Sequence, residues 1–411
     1  MTQLNGGKIM RCKFFLIAVA IIFLTSNVSL ADLKFDNNGP GKVTFTQDAS
    51  YNTTLTAAPK KGADFVGWDV SGITNPCTGS SKTCTINAAS VGSKTVIVTA
   101  KFKPGTAYLL LHGLSSNTDT WNDLTKNNFN NSCIKMEEAT FKESVNDSNR
   151  CFRLSFKTRS RMGLEGISEW PSGDGATYSE LGDEVVKAVQ GITASYPAID
   201  SVVLIGHSRG GLSARSAVNK EDASVSKIKG VLTIGTPHQG SAFGRFYSWL
   251  EKYPRYKIST SDGPWLYENV SIWNLVLSIS YFFDLRSPSV NFLAIGSTEI
   301  QKLNSVKLPT NIKYGAIASN NLKFGRIIST FDGWAFIDIL WVMFPLPHST
   351  KWLLDGEDVE YYKGDGIVHR ASQDIPGVTF SKLTSDLNAV AHRDETQQTA
   401  AIEVVLRETM K

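Results

Sequence analysis

The sequence predicts an α/β protein with a mostly parallel sheet, preceded by a small all-β domain. Three observations carry that expectation. Apolar runs at 106–113 (TAYLLLHG), 201–206 (SVVLIG), 229–237 (KGVLTIGTP) and 311–319 (NIKYGAIAS) read as strands buried on both faces. Helical patterns alternate with them. The stretch 178–196 places Leu181, Val185, Val186 and Val189 at helical spacing, and 210–219 (GGLSARSAVN) is a helix of small residues. Ahead of these, residues 32–103 hold short alternating runs (KVTFT, NTTLTAA, KTVIVTAKF) separated by turn clusters such as DNNGPG and PKKG, the pattern of a small β-domain.

The chain start reads as a targeting segment. Lys8, Arg11 and Lys13 precede an uncharged apolar run at 14–24, and Ser29 and Ala31 supply the small residues before a cut after Ala31. The run is 11 residues, against about 20 for a membrane span. The expected organisation is a signal peptide at 1–31, a β-domain at 32–104, and a larger α/β domain at 105–411 with an insertion at about 241–290. The overall charge is +4, and three of the 42 basic residues lie in the signal. A balance so near zero argues against a nucleic-acid partner. Cys12 lies in the signal. The spacings of the other four cysteines suggest local bridges, Cys77–Cys84 and Cys133–Cys151, although four cysteines allow three pairings and free buried thiols are the alternative.

Two strands end on glycine-rich turns with polar tips: LLLHGLSSN at 109–117 and VVLIGHSRGG at 202–211. A bare G-x-S-x-G is weak, but Ser208 follows an apolar strand and precedes a small-residue helix, the setting of a nucleophile elbow. A serine hydroxyl needs a base, and the base an orienting acid. In this setting the chain order is serine, acid, histidine. Of the six histidines, His112 and His207 precede or adjoin the nucleophile. His238 sits just after a strand in GTPHQGS and is expected to shape the pocket, and His348 follows a proline-rich apolar stretch. His369 lies four residues after Asp365, where on a continuing strand acid and base would crowd each other. His392 returns on a separate loop, so Ser208, Asp365 and His392 are the expected catalytic residues. The backbone N–H groups of Leu114 and Arg209 are the expected oxyanion donors.

The motifs LLLHGLSSN, LIGHSRGG, TIGTPHQGS, LNSVKLPTNIKYGAIAS and GDGIVHRASQ, in that order, resemble bacterial triacylglycerol lipases and esterases of the α/β-hydrolase superfamily over residues 106–411. The run LTAAPKKGADFVGW followed by VTAKFKP resembles the internalin-B-type β-repeat. It implies no catalytic residues, and Phe65 and Trp68 are read as core. The lipase resemblance implies a fold with an elbow and a cap, an acyl-enzyme on Ser208, and no required cofactor. It also implies a structural calcium braced by Asp394 and Gln398, although the partnering upstream aspartate is not evident in 351–366. A polar helix start is the alternative for these two, since calcium takes about six oxygen ligands.

Two further runs, 271–283 and 331–347, are unusually apolar. They are read either as buried cap helices or as a lid facing lipid. The expected partner is an ester or lipid substrate, at a lipid–water interface if the lid reading holds. The same machinery serves a phospholipase, a polyester hydrolase or an acyltransferase, and a non-catalytic surface adhesion protein is the alternative of another class. The ligand of the β-domain has no signature in the sequence.

Overall fold

Two apolar runs read separately in the sequence, KTVIVTAKF and TAYLLLHG, form one sixteen-residue strand that joins the two halves of the chain. In the computed structural model, residues 33–157, 173–241, 244, 288–320, 322–323, 326–331, 334–339, 342–347, 363–365, 367–378 and 384–410 are described. The N-terminal part contains β1 (Leu33–Asn38), β2 (Gly41–Gln47), β3 (Thr53–Pro59), β4 (Ala63–Ser71), β5 (Thr83–Ile86), α1 (Ala88–Val91) and the first half of β6 (Val96–Leu111). β1 in parallel and β4 in antiparallel register flank that half of β6, and β2, β3 and β5 form a separate antiparallel sheet. Leu55, Trp68, Val96, Val98 and Phe102 form its core, with Phe65 packed against it. The Trp68 indole N–H, buried with the ring, donates to Ser81 O at 3.0 Å, as a buried indole must. Cys77 and Cys84 are joined by a disulfide.

The second part follows as α2 (Asn122–Phe129), β7 (Cys133–Glu137), β8 (Thr140–Phe141), β9 (Cys151–Leu154), α3 (Tyr178–Ser195), β10 (Ile199–His207), α4 (Arg209–Ala217), β11 (Ile228–Ile234), α5 (Pro288–Phe292), α6 (Thr298–Ser305) and β12 (Lys313–Asn320). β13 (Leu322–Lys323), β14 (Arg326–Phe331), β15 (Trp334–Ile339), β16 (Val342–Pro347), β17 (Lys363–Gly364), β18 (Thr384–Asn388) and α7 (Thr399–Met410) complete it. The large sheet has the order β18-β12-β11-β10-β6-β9-β7-β8 and is parallel apart from the β7–β8 pair.

Both faces of the sheet are covered, which is why its strands read as continuous apolar runs. Along β10, Val202 and Leu204 enter the core that holds Leu181, Val185 and Val189 of α3. Val203 and Ile205 enter the opposite core with Ile402 and Val405 of α7 and Leu124 of α2. That alternation is the two-residue period of a strand. Helix α3 begins with a capping box: Thr177 accepts from the Glu180 amide, and the Glu180 carboxylate accepts from the Thr177 amide, satisfying amides that the first turn leaves open. Cys133 and Cys151 face each other across the β7–β9 pair and are bridged.

The described residues of the apolar segment 331–347 are strand rather than helix. The strands β14, β15 and β16 pair into an antiparallel three-stranded sheet. Its β-branched and aromatic residues favour strand, and Pro345 and Pro347 are excluded from a helix interior. The other apolar segment, 271–283, most of the expected cap and the expected signal peptide lie outside the described residues. Among the described residues no helix is long and apolar enough to cross a membrane.

Candidate active site

The C-terminal ends of β6 and β10 converge. Ser208 directly follows β10 with φ 53° and ψ −125°, a conformation that costs a non-glycine residue on the order of 1 kcal/mol or more and persists only where its surroundings enforce it. They do so here. The Ser208 amide donates to Ile234 O at 2.8 Å. A Cβ on Gly210 would lie 2.2 Å from Leu111 O, so the elbow seats against the end of β6 only with glycine at that position. The 112–114 turn approaches from that strand, and a Cβ on Gly113 would lie 3.1 Å from the Ser208 Cβ. The backbone amides of Leu114 and Arg209 donate to no other group among the described residues.

The His112 ring, fully buried, locks this turn. Its Nε2 accepts from the Phe156 amide at 3.4 Å, so Nδ1–H donates to Gly113 O at 2.9 Å. Burial, together with the Arg209 charge, lowers its pKa to about 3 and keeps the ring neutral.

Asp365 and His392 are brought together. His392 Nδ1 lies 2.7 Å from Asp365 Oδ2, with both side chains buried. The other oxygen, Oδ1, accepts from the amides of Ile367 and Val368 at 2.8 and 2.7 Å. The chain turns tightly there, the Asp365 amide donating to Val368 O at 3.2 Å. His369 therefore bridges back to Gly364 rather than continuing a strand past Asp365. The His392 loop meets the elbow through His207, whose Nε2 lies 2.9 Å from His392 O and whose ring centroid is 4.7 Å from that of His392. Ser208 and His392 are not hydrogen-bonded to each other among the described residues; such contacts commonly close only in the substrate complex. His238 is buried beneath the site: its amide donates to Ser372 O at 2.7 Å, its Nε2 is 3.2 Å from Thr233 Oγ1, and burial beside Arg215 holds its pKa well below the ordinary value.

Glu395 was missed in the sequence. It is fully buried, with Oε2 3.3 Å from His392 Nδ1 and 3.5 Å from His207 Nε2. A Cβ on Gly235 would lie 1.8 Å from that oxygen, which explains the glycine in TIGTPHQGS. The available signal was the i, i+3 spacing from His392. Burial alone would lower the His392 pKa, but Asp365 and then Glu395 outweigh it and push it up to about 10.

Asp394 and Gln398 are the two residues expected to hold calcium. Asp394 Oδ1 lies 3.4 Å from Arg393 Nε and accepts from Gln397 Nε2 at 3.5 Å, and the Gln398 amide group donates to Asp394 O at 3.4 Å. Calcium takes about six oxygen ligands, and these two residues supply two side chains toward that number. Among the described residues, the one His and acidic cluster tight enough to share an ion is His207, His392 and Glu395, in the surroundings of the histidine itself.

The fold is that of the α/β-hydrolase class, with a separate small all-β region before it. Residues 105–280 match the PGAP1-like alpha/beta domain family and residues 31–106 the divergent InlB B-repeat domain family. Similar solved structures include mature lipase BlEst2 of Bacillus licheniformis, at 15% identity over 75% of this chain and 92% of that one, TM-score 0.43. The lin2722 gene product of Listeria innocua is similar at 13% identity over 74% of this chain and 94% of that one, TM-score 0.40. Phospholipase PlaB of Legionella pneumophila is similar at 14% identity over 73% of this chain and 59% of that one, TM-score 0.40. No curated protein matches the chain.

Proposed function

We propose that the protein is an exported serine hydrolase that cleaves carboxylic esters of lipids through an acyl-enzyme on Ser208. The observation that carries this reading is the buried Asp365–His392 pair, 2.7 Å apart, on a loop hydrogen-bonded to the residue preceding a strained Ser208. Ser208 Oγ attacks the ester carbonyl while His392 Nε2 takes its proton, and Asp365 stabilises the imidazolium. The negative oxygen of the tetrahedral intermediate accepts from the Leu114 and Arg209 amides. The intermediate collapses, His392 returns the proton to the departing alcohol, and the acyl group stays on Ser208. Water, deprotonated by His392, then releases the acid and regenerates the serine.

The uncharged run at 271–283 favours an acyl chain over a small soluble ester, and the apolar stretch at 14–24 with the two disulfides favours export. Hydrolysis of p-nitrophenyl butyrate by the purified protein tests the reading. Ser208→Ala is expected to lower kcat by about 10⁶ with an unchanged circular dichroism spectrum. A folded Ser208→Ala protein that keeps more than a small fraction of turnover rules out the acyl-enzyme.

A further inference from the structure

A buried ion pair joins the two backbone segments that carry the proposed oxyanion donors. Arg209 Nη2 lies 2.9 Å from Asp174 Oδ1, and both side chains are fully buried. The same carboxylate accepts from the Ser115 amide at 3.2 and 3.1 Å, and from the Ser115 hydroxyl at 2.9 Å. Ser115 is the residue after Leu114, and its φ of 49° is left-handed, unusual without glycine. Arg209 is held from the same side, its Nη1 donating to Gly173 O at 2.7 Å. Asp174 therefore touches the turn that presents the Leu114 N–H and the side chain of the residue that presents the Arg209 N–H.

A buried ion pair adds little stability over apolar groups of the same volume. What it adds here is registry. Two amides on different segments serve one oxygen only if their separation is held to about 0.5 Å. We propose that Asp174 is a positioning residue for the oxyanion hole: its carboxylate clamps the 112–115 turn to the start of α4 and fixes the spacing of the Leu114 and Arg209 N–H donors. This rests on the Ser208 reading above. Asp174 touches no reacting atom and acts through Ser115 and Arg209.

The test compares wild type, Asp174→Asn and Ser115→Gly on p-nitrophenyl butyrate and with phenylboronic acid, whose serine adduct places a negative oxygen in the oxyanion hole. Removing one oxyanion donor outright costs about 10²–10³ in kcat. A displaced pair is expected to cost Asp174→Asn roughly 10- to 100-fold in kcat, with KM within about twofold and the boronate inhibition constant rising in proportion to the loss of kcat/KM. Ser115→Gly keeps the test open where Asp174→Asn does not fold, because glycine takes a φ of 49° without strain. It loses the hydroxyl contact and is expected to lose roughly three- to tenfold in kcat, again with parallel weakening of the boronate. An unaffected kcat in the folded variants, or a lower kcat with unchanged boronate affinity, overturns the proposal. A wild-type protein that neither hydrolyses the ester nor binds the boronate counts against the Ser208 reading itself.

Discussion

Asp365 and His392, 27 residues apart, are held together twice: Oδ2 to Nδ1 at 2.7 Å, and the His392 amide to Asp365 O at 3.0 Å. The imidazole is thus fixed in place and in tautomer. His392→Ala is expected to lower kcat by at least 10⁴, and His369→Ala by less than tenfold. Asp365→Asn is expected to cost about 10² rather than the 10⁴ of an isolated triad acid, because Glu395 Oε2 lies 3.3 Å from the same nitrogen. The double variant Asp365→Asn/Glu395→Gln then loses the remainder. Steady-state kinetics on a soluble ester rank the four variants, and a larger loss in His369→Ala than in His392→Ala moves the base to His369.

The two carboxylates also set the pH dependence. They raise the His392 pKa to about 10 against the opposing effect of burial, so the ring becomes a free base only as pH rises, and kcat/KM should climb through the alkaline range. Removing one negative neighbour destabilises the imidazolium. Glu395→Gln should therefore move the acid limb of the profile to lower pH, with activity at pH 7, relative to its own optimum, at least about threefold above wild type. Stability runs the other way. The folded value lies above the unfolded one, so the contribution of His392 is complete below about pH 6.5 and is lost as pH rises toward about 10. A pH–rate profile of the two proteins checks the sign, and an acid limb that stays put removes Glu395 from the electrostatics of the base.

Much of this was legible in the chain because the period of the strands and the glycines of the elbow act locally. VVLIGHSRGG states a strand, a turn and a helix in ten letters, and β10 and α4 follow it within a few residues. The merger of two apolar runs into β6 was not legible, since Pro104–Gly105 reads as a break. The pairing explains the glycine: a Cβ on Gly105 would lie 2.1 Å from Gly62 O, a contact made across the fold. Asp174 was invisible for the same kind of reason, and Glu395 carried no signal beyond its i, i+3 spacing from His392. A buried carboxylate is identified by its partners: Glu395 faces His207 from the far end of the chain as well as the nearby His392, and Asp174 stands 59 residues from Ser115. The helical reading of 331–347 failed because apolarity without a period does not separate helix from strand.

The Cys133–Cys151 bridge links adjacent strands of the large sheet across a sequence separation of 18, both residues being buried. Closing a loop of that size is worth about 3 kcal/mol. Cys133→Ser/Cys151→Ser is expected to lower Tm by roughly 6–12 °C. Cys77–Cys84 closes a separation of only 7 within the small domain, and its removal should affect Tm less. Thermal melts of the two double variants give the ranking, and non-reducing peptide mapping that finds crossed pairs or free thiols overturns the connectivity.

The small all-β part is expected to melt together with the α/β part rather than as a separate bead. β6 is continuous through both sheets, and its C-terminal half ends at the site while its N-terminal half lies in the module. The β3–β4 turn docks on the far end of β10: the Ala198 amide donates to Lys61 O at 3.1 Å, and Lys61 Nζ sits 4.7 Å over the Tyr196 ring. Arg150 Nη2 donates to Ala63 O at 3.0 Å and pairs with Asp64 at 3.2 Å. A chain that starts at residue 105 gives up these contacts and exposes Tyr196 and Ile199, both buried in the full protein. A few hydrogen bonds at about 1 kcal/mol each, plus the exposed apolar area, amount to roughly 3–5 kcal/mol. The truncated protein should therefore melt about 6–15 °C lower. Because the module lies at the opposite end of the sheet from Ser208, kcat on a soluble ester at a temperature well below both melts should change less than about threefold. Calorimetry of the full chain should show one transition. Two separate transitions, with the second at the Tm of the truncated protein, would mean that the shared strand transmits no stability between the halves.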